Sequence, residues 1–193
     1  NPLVNYAIGS RDTPGSIFKM VTATAGLLNG QLTLSERISD GGRFDKYDKT
    51  NPPRCWLNQK RLSQHADQTV VEGITHSCNY FFYTVGSRLY ENTDDQLYKT
   101  AALYGLTTKT GIDLPGESRG QFHNTSETSD WNEVALATAS FGQRFTVTPM
   151  QMITMVSAIV DDGKLKKPYV VKEVLGGDGS VKSTTVSYTH LTL

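Results

Sequence analysis

Excess charge of either sign is missing from this sequence: Lys+Arg and Asp+Glu both number 19. That balance excludes the basic footprint with which a protein grips nucleic acid or an anionic membrane surface. The one dense positive stretch, Lys164-Leu165-Lys166-Lys167, follows Asp161-Asp162 and reads as a solvated turn. Long apolar runs are missing too, and no segment approaches the ~20 residues that a membrane-spanning helix needs. Cysteine is scarce. Cys55 and Cys78 are the only two, and a chain of 193 residues can form a core without a staple, so two free thiols are expected. Four histidines (His65, His76, His123, His190) are scattered without C-x-x-C or H-x-x-x-H spacing. No metal site is expected from that spacing, and no cofactor. An initiating Met is absent, and the chain closes on "TTVSYTHLTL" with no cap or closing strand. Both ends therefore read as cut, and any anchor or targeting segment would lie outside.

What is present reads as a soluble, helix-rich domain, with 37% hydrophobic and 20% charged residues. Pro14-Gly15 is a turn signal, Ser16 suits an N-cap or first turn, and Phe18, Val21, Ala25 and Leu28 recur at helical spacing. A helix is predicted over 16–29. From Thr33 to Gln68 the periodicity breaks down into a long irregular region, with a short strand expected near Arg43 to Tyr47. Further helices are predicted over 70–77, 79–90, 94–104 and 130–138. Thr148-Pro149 opens a longer one, striped by Met152, Met155, Val156 and Ile159 and ended by Gly163. "PYVVKEVLGGDGSVKS" reads as a β-hairpin around a Gly-Gly-Asp-Gly turn.

Ser16-Ile17-Phe18-Lys19 is the only Ser-x-x-Lys in the chain, and it opens a helix directly after a turn. An i,i+3 pair shares one helical face, so the amine can reach the hydroxyl. A serine hydroxyl is a weak nucleophile until a base takes its proton, and a lysine can be that base when burial lowers its pKa. The helix start also offers free backbone N–H groups to an oxyanion. By itself the pattern equally fits an ordinary capped helix with a surface lysine. Ser77-Cys78-Asn79, at a break between two helices, can turn a hydroxyl and an amide into one cleft, although Ser and Asn also make plain capping turns.

Together these segments resemble a known family. "TPGSIFKMVTATAGL", "THSCNYFFYTVGSRL", "YGLTTKTGIDLPGES" and "SFGQRFTVTPMQMITMVSAI" look like successive blocks of the transpeptidase domain of class B penicillin-binding proteins, most of all the cell-elongation (rod-type) branch. The resemblance implies an α+β fold: the helix-rich part of the acyl-serine transferase fold shared with serine β-lactamases, with most of the central sheet missing. It would occupy residues 1–182, leaving 183–193 as a non-native or disordered tail. It also implies roles. Ser16 would be the acylated nucleophile, Lys19 its base, Ser77 the proton relay to the departing D-alanine, and Asn79 the holder of the acyl chain. The partners implied are peptidoglycan stem peptides, β-lactam antibiotics and the cell-wall elongation machinery, with no nucleic acid. The site implied is the extracytoplasmic face of the bacterial cell membrane. Serine β-lactamase and β-lactam-sensing receptor domain are the rival enzyme-class and receptor readings, and a helical interaction module is the bland one.

Lys109-Thr110-Gly111 spells the family's third catalytic motif but does not suit its job. It ends a helix, Ile112 follows where a small hydroxyl residue is required, and Pro115-Gly116 breaks the chain soon after. Lys109 is expected to be a solvated lysine in a structural loop. The catalytic triplet is expected after the hairpin, beyond this sequence, so the fragment is expected to be inactive or nearly so.

Overall fold

Thr148 and Gln151 close a capping box. The Gln151 backbone N–H donates to Thr148 Oγ1 at 3.1 Å, and Gln151 Oε1 accepts from the Thr148 N–H at 2.9 Å. With Pro149 at the first helical position, this satisfies donors that a helix start otherwise leaves bare. Thr69 and Glu72 form a second such box. In the computed structural model, which describes residues 4–91, 95–122 and 133–186, the helices are α1 (Tyr6–Gly9), α2 (Lys19–Leu28), α3 (Trp56–Gln59), α4 (Val70–Thr75), α5 (Asn79–Glu91), α6 (Gln96–Leu103), α7 (Glu133–Ala139) and α8 (Pro149–Val160). A 3₁₀ turn, Gly15–Phe18, leads into α2. Among the described residues the one sheet is the antiparallel hairpin of β1 (Glu173–Leu175) and β2 (Val181–Thr184), with Val174 opposite Ser183. No described helix is long and apolar enough to cross a membrane.

The chain divides into two compact units: Thr13–Thr100 with His123–Phe145, and Asn1–Asp12 with Ala101–Phe122 and Thr146–Leu193. In the first, α5 packs against both α2 and α7. Its buried side chains Phe81, Phe82, Val85 and Leu89 recur at helical spacing, and the core they form is worth about 1.5–3 kcal/mol per large apolar side chain. Thr22 Oγ1 donates to the Ser140 carbonyl and Ser140 Oγ to the Phe82 carbonyl, each at 2.7 Å, which stitches the three helices together from within. The irregular stretch after α2 is pinned at its edges by Arg88 to Glu36 and by an Ile38–Gln68 bridge.

In the second unit, Gln151 does more than cap. Its Nε2 donates to the carbonyls of Thr108 at 2.6 Å and Arg119 at 3.0 Å, so one buried amide clamps two loop segments. Gln151→Leu keeps the volume and strands these carbonyls, and is expected to cost about 2–3 kcal/mol in urea denaturation. An unchanged midpoint would show that the clamp contributes nothing.

Several expectations are corrected. No strand forms over Arg43 to Tyr47; only an isolated Arg43–Arg54 bridge does, because the facing Pro52 and Pro53 have no N–H to extend a ladder. Leu28 is exposed rather than part of the α2 stripe. The buried face of α8 is Gln151, Thr154, Met155 and Ala158, and Ile159 lies outside it. The short helices α1 and α3 went unpredicted. Of the predicted elements, Asp94 and residues 130–132 lie outside the described residues, as do residues 187–193 of the tail.

Candidate active site and a buried four-donor pocket

Gly15, at φ 59°, turns the chain so that Ser16 stands exposed on the 3₁₀ turn while Phe18 dives into the core against Phe145 (ring centroids 4.6 Å apart). The turn is held by a hydrogen bond from the Gly15 N–H to the Gly142 carbonyl, 2.9 Å. Lys19, three residues on, is the first residue of α2 and only 2% exposed. Lysine is seldom buried without partners, and this one has three. Its Nζ donates to the Ser77 carbonyl (2.7 Å), Ser77 Oγ (2.8 Å) and Asn79 Oδ1 (2.7 Å). Ser77 Oγ in turn donates to Ser16 Oγ at 3.0 Å.

The four residues singled out in the sequence, Ser16, Lys19, Ser77 and Asn79, therefore meet. The path from Lys19 to Ser16 runs through the Ser77 hydroxyl. Ser77 sits at φ 51°, the left-handed region that costs a non-glycine residue free energy, and that kink between α4 and α5 is what lets its carbonyl and hydroxyl both face Lys19. Burial strips water from the ammonium and lowers the Lys19 pKa from 10.5 to about 8, against the upward pull of Cys78 and Cys55. An amine so tuned is neutral often enough near neutral pH to accept a proton.

Behind the kink lies a second cluster that spacing did not reveal. Asp40, Cys55, His65 and Cys78 bring one donor atom each to within 4.8 Å of one another. Both cysteines are buried and free, with their sulfurs 3.7 Å apart. Cys55 Sγ lies 3.4 Å from His65 Nδ1, Cys78 Sγ 3.6 Å from Asp40 Oδ2, and His65 Nδ1 2.9 Å from the same Oδ2. Hydrogen bonding from Cys78 holds the Cys55 thiol below its usual pKa, while that same bond and burial push Cys78 up. Two thiols, an imidazole and a carboxylate form a donor set suited to a zinc-class cation. Local spacing does not reveal this set, because its donors come from four separate points along 39 residues of chain, 40 to 78, that only the fold unites. A cysteine lodged between the Ser and Asn of the second motif was the one available hint.

Lys109-Thr110-Gly111 lies in the other unit, in a loop. Lys109 is exposed, and the Thr110 and Gly111 N–H groups donate to the Glu117 carboxylate at 2.7 and 3.0 Å. Asp113 accepts from the N–H groups of Val170 and Val171 at 2.7 and 2.8 Å. The "TGIDLPGE" block is thus a bracket that fastens its own loop and the approach to β1, and Lys109 stands exposed in a structural loop, as expected.

Over residues 1–190 the sequence matches the penicillin binding protein transpeptidase domain. The chain belongs to that family. It is 35% identical over 175 residues to stage V sporulation protein D of Bacillus subtilis, covering 88% of this chain and 24% of that protein. It is 29% identical over 181 residues to the peptidoglycan D,D-transpeptidase MrdA of Acinetobacter baumannii, covering 91% of this chain and 26% of the relative. A solved complex between penicillin-binding protein 2 and MreC from Helicobacter pylori superposes with a TM-score of 0.77 at 27% identity, covering 88% of this chain and 31% of that one. The chain spans about a quarter of the length of the curated relatives it matches. The transpeptidase-domain fold, in its helix-rich part, is the one expected from the four ordered sequence blocks.

Proposed function

We propose that this chain carries the acylation centre of a peptidoglycan D,D-transpeptidase. The carbonyl of a stem peptide's D-Ala–D-Ala bond is attacked by Ser16 Oγ. Ser77 takes the Ser16 proton as it passes its own to the neutral Lys19 amine, so the charge arrives on a group already ringed by three acceptors. The proton returns through Ser77 to the departing D-alanine, and an amine of a neighbouring stem peptide resolves the ester, forming the cross-link. Asn79 holds Lys19 through its side-chain oxygen and offers its amide nitrogen to the acyl chain. β-Lactams, mimics of the donor terminus, acylate the same Ser16.

The observation that carries this reading is the Lys19–Ser77–Ser16 relay with its buried amine. Family membership and the names of the relatives add support, and the complex with MreC makes the cell-wall elongation machinery the partner to test. The site of action proposed is the extracytoplasmic face of the membrane. The 193 residues alone are expected to react slowly, because Thr110 and Gly111 of their one Lys-Thr-Gly triplet are already engaged by Glu117.

Incubation with a fluorescent penicillin for hours, followed by peptide mass spectrometry, tests the proposal. Wild type is expected to carry a long-lived adduct on Ser16, and Ser16→Ala none, with unchanged circular dichroism. An adduct on another residue, or none on folded wild type under excess drug, would overturn it. Rapid turnover to hydrolysed drug would point to a β-lactamase instead.

A further inference from the structure

Resting on the transpeptidase reading above, we propose that Phe82 is a positioning residue for acylation, whose ring face backs the Lys19 amine and favours the ammonium formed as Lys19 accepts the Ser16 proton. Three observations lead there. First, Lys19 Nζ commits its N–H bonds to the Ser77 carbonyl, Ser77 Oγ and Asn79 Oδ1, and it also stands over the Phe82 ring, 5.6 Å from the centroid. A cation within about 6 Å of a ring centroid is attracted by the negative face of the aromatic quadrupole, and more strongly where water is excluded. Water is excluded from both groups here, since Lys19 is 2% exposed and Phe82 0%. A neutral amine has no charge for the quadrupole to act on. The ring therefore discriminates between the two protonation states of the base.

Second, the ring is held in place. Phe82 follows Asn79 by three residues in α5, so the two side chains share one helical face, and both meet Lys19. The Phe81 ring packs on that of Phe82 with centroids 5.3 Å apart and planes 60° from parallel. Beneath the ring, the Phe82 carbonyl accepts from Ser140 Oγ at 2.7 Å, and the Ser140 carbonyl accepts from Thr22 Oγ1 at 2.7 Å. Thr22 lies three residues after Lys19 in α2, and both Thr22 and Ser140 are fully buried. The backbone that carries the ring is thus tied to the helix that carries the amine.

Third, among the described residues no carboxylate pairs with Lys19 to receive the charge that acylation delivers. The titratable groups that act on it are Cys78 and Cys55, which favour its charged form against the larger effect of burial. On α4, which packs against α2, Glu72 is engaged by Arg37 and the Thr69 N–H, and His76 Nδ1 by Gln68. On α5, Arg88 pairs with Glu36 and Glu91 with Lys46, while Tyr83 meets Phe141 edge to face and Tyr80 meets Phe44. Besides the three acceptor oxygens, the Phe82 ring is the negative surface that the new ammonium faces. Without the ring Lys19 would bind its proton less tightly and be the weaker base.

The test uses the full 193-residue chain at one fixed metal content, with mono-, di- and trifluorinated phenylalanine placed in turn at residue 82. Each added fluorine drains negative charge from the ring face and nearly keeps its shape, so a role confined to packing would not follow the series. Ionisation of Lys19 is read from its Cε NMR resonance, assigned by its loss in Lys19→Met, and acylation from fluorescent-penicillin time courses across the same pH range. The Lys19 midpoint should fall stepwise, by about one pH unit in the trifluorinated chain. The acylation midpoint should move with it, and the rate on the plateau above it should drop a few-fold. Phe82→Leu, checked for folding by its melting curve, should shift both midpoints the same way. Midpoints that stay put or rise along the fluorine series in folded chains would overturn the proposal, as would a rate loss without order in fluorine number. The NMR midpoint needs no penicillin. An ordered fall in a chain whose Ser16 takes no label would therefore count against the transpeptidase reading, and a fixed midpoint in a chain that labels normally against Phe82 alone.

Discussion

Replacing Lys19 by methionine is expected to lower the rate of β-lactam acylation at Ser16 by about 10³-fold, within the range that a positioned general base contributes. Methionine keeps the length and the apolar stem of the side chain, so the packing of α2 against α5 is retained while the proton acceptor is lost. The wild-type rate should rise with pH and level off above about 8, where burial has placed the Lys19 pKa, and the Lys19→Met rate should be flat across that window. The sign of the stability effect follows from the same shift. Between about 8 and the ordinary lysine value of 10.5, the unfolded chain holds a proton that the folded chain has released, so stability rises with pH over that interval. Time courses of labelling by the fluorescent penicillin over hours, and urea denaturation across this range, measure both. A Lys19→Met protein that labels Ser16 at near wild-type rate would exclude Lys19 as the base.

Gly142→Ala is expected to be nearly as damaging, although residue 142 carries no reactive group. A Cβ there would lie 2.0 Å from the Gly15 carbonyl oxygen and 2.7 Å from the Gly15 nitrogen, far inside van der Waals contact. Its three nearest atoms are all Gly15 backbone, so no flexible side chain can swing away. The φ of 86° adds strain of its own for any L side chain. Relief requires the Pro14-Gly15-Ser16 turn to move, and with it the nucleophile. The expected cost is about 2–4 kcal/mol of stability from overpacking and strain together. Acylation should fall by about 100-fold, the penalty for displacing a reacting atom by about an ångström. Gly177→Ala, whose Cβ would meet nothing within 4 Å, is the control and should leave both quantities unchanged. Equal behaviour of the two variants would mean that the Gly15–Gly142 contact does not hold the turn.

Much of the site is legible in the sequence, because its parts announce themselves locally. Ser16 and Lys19 are one helical turn apart, and Ser77 and Asn79 flank a helix start; both arrangements are complete within four residues. The Thr148-Pro149 helix start, realised as a capping box, was equally plain. The misses have one cause. The strand expected near residue 45 failed because its neighbour across the bridge is a proline pair, a fact about a partner some ten residues away. The α8 stripe was misjudged because Gln151, polar by type, is buried where four carbonyls converge on its amide. Spacing within single turns carries no trace of the Asp40, Cys55, His65 and Cys78 donors, which are related only through the fold.

By itself, then, the sequence determined which four side chains the fold would bring together, where α4, α5 and α8 start, and that the Lys-Thr-Gly at 109–111 belongs to a structural loop. Those are properties of hydrogen bonds and apolar contacts formed within a turn or two of chain. Only the tertiary structure decided that Lys19 reaches Ser16 through Ser77, that its ammonium is dry enough to give up a proton near pH 8, and that two thiols, an imidazole and a carboxylate share one pocket behind it. Desolvation and donor convergence are sums over neighbours far apart in the chain, and those sums take a value only once the chain has packed.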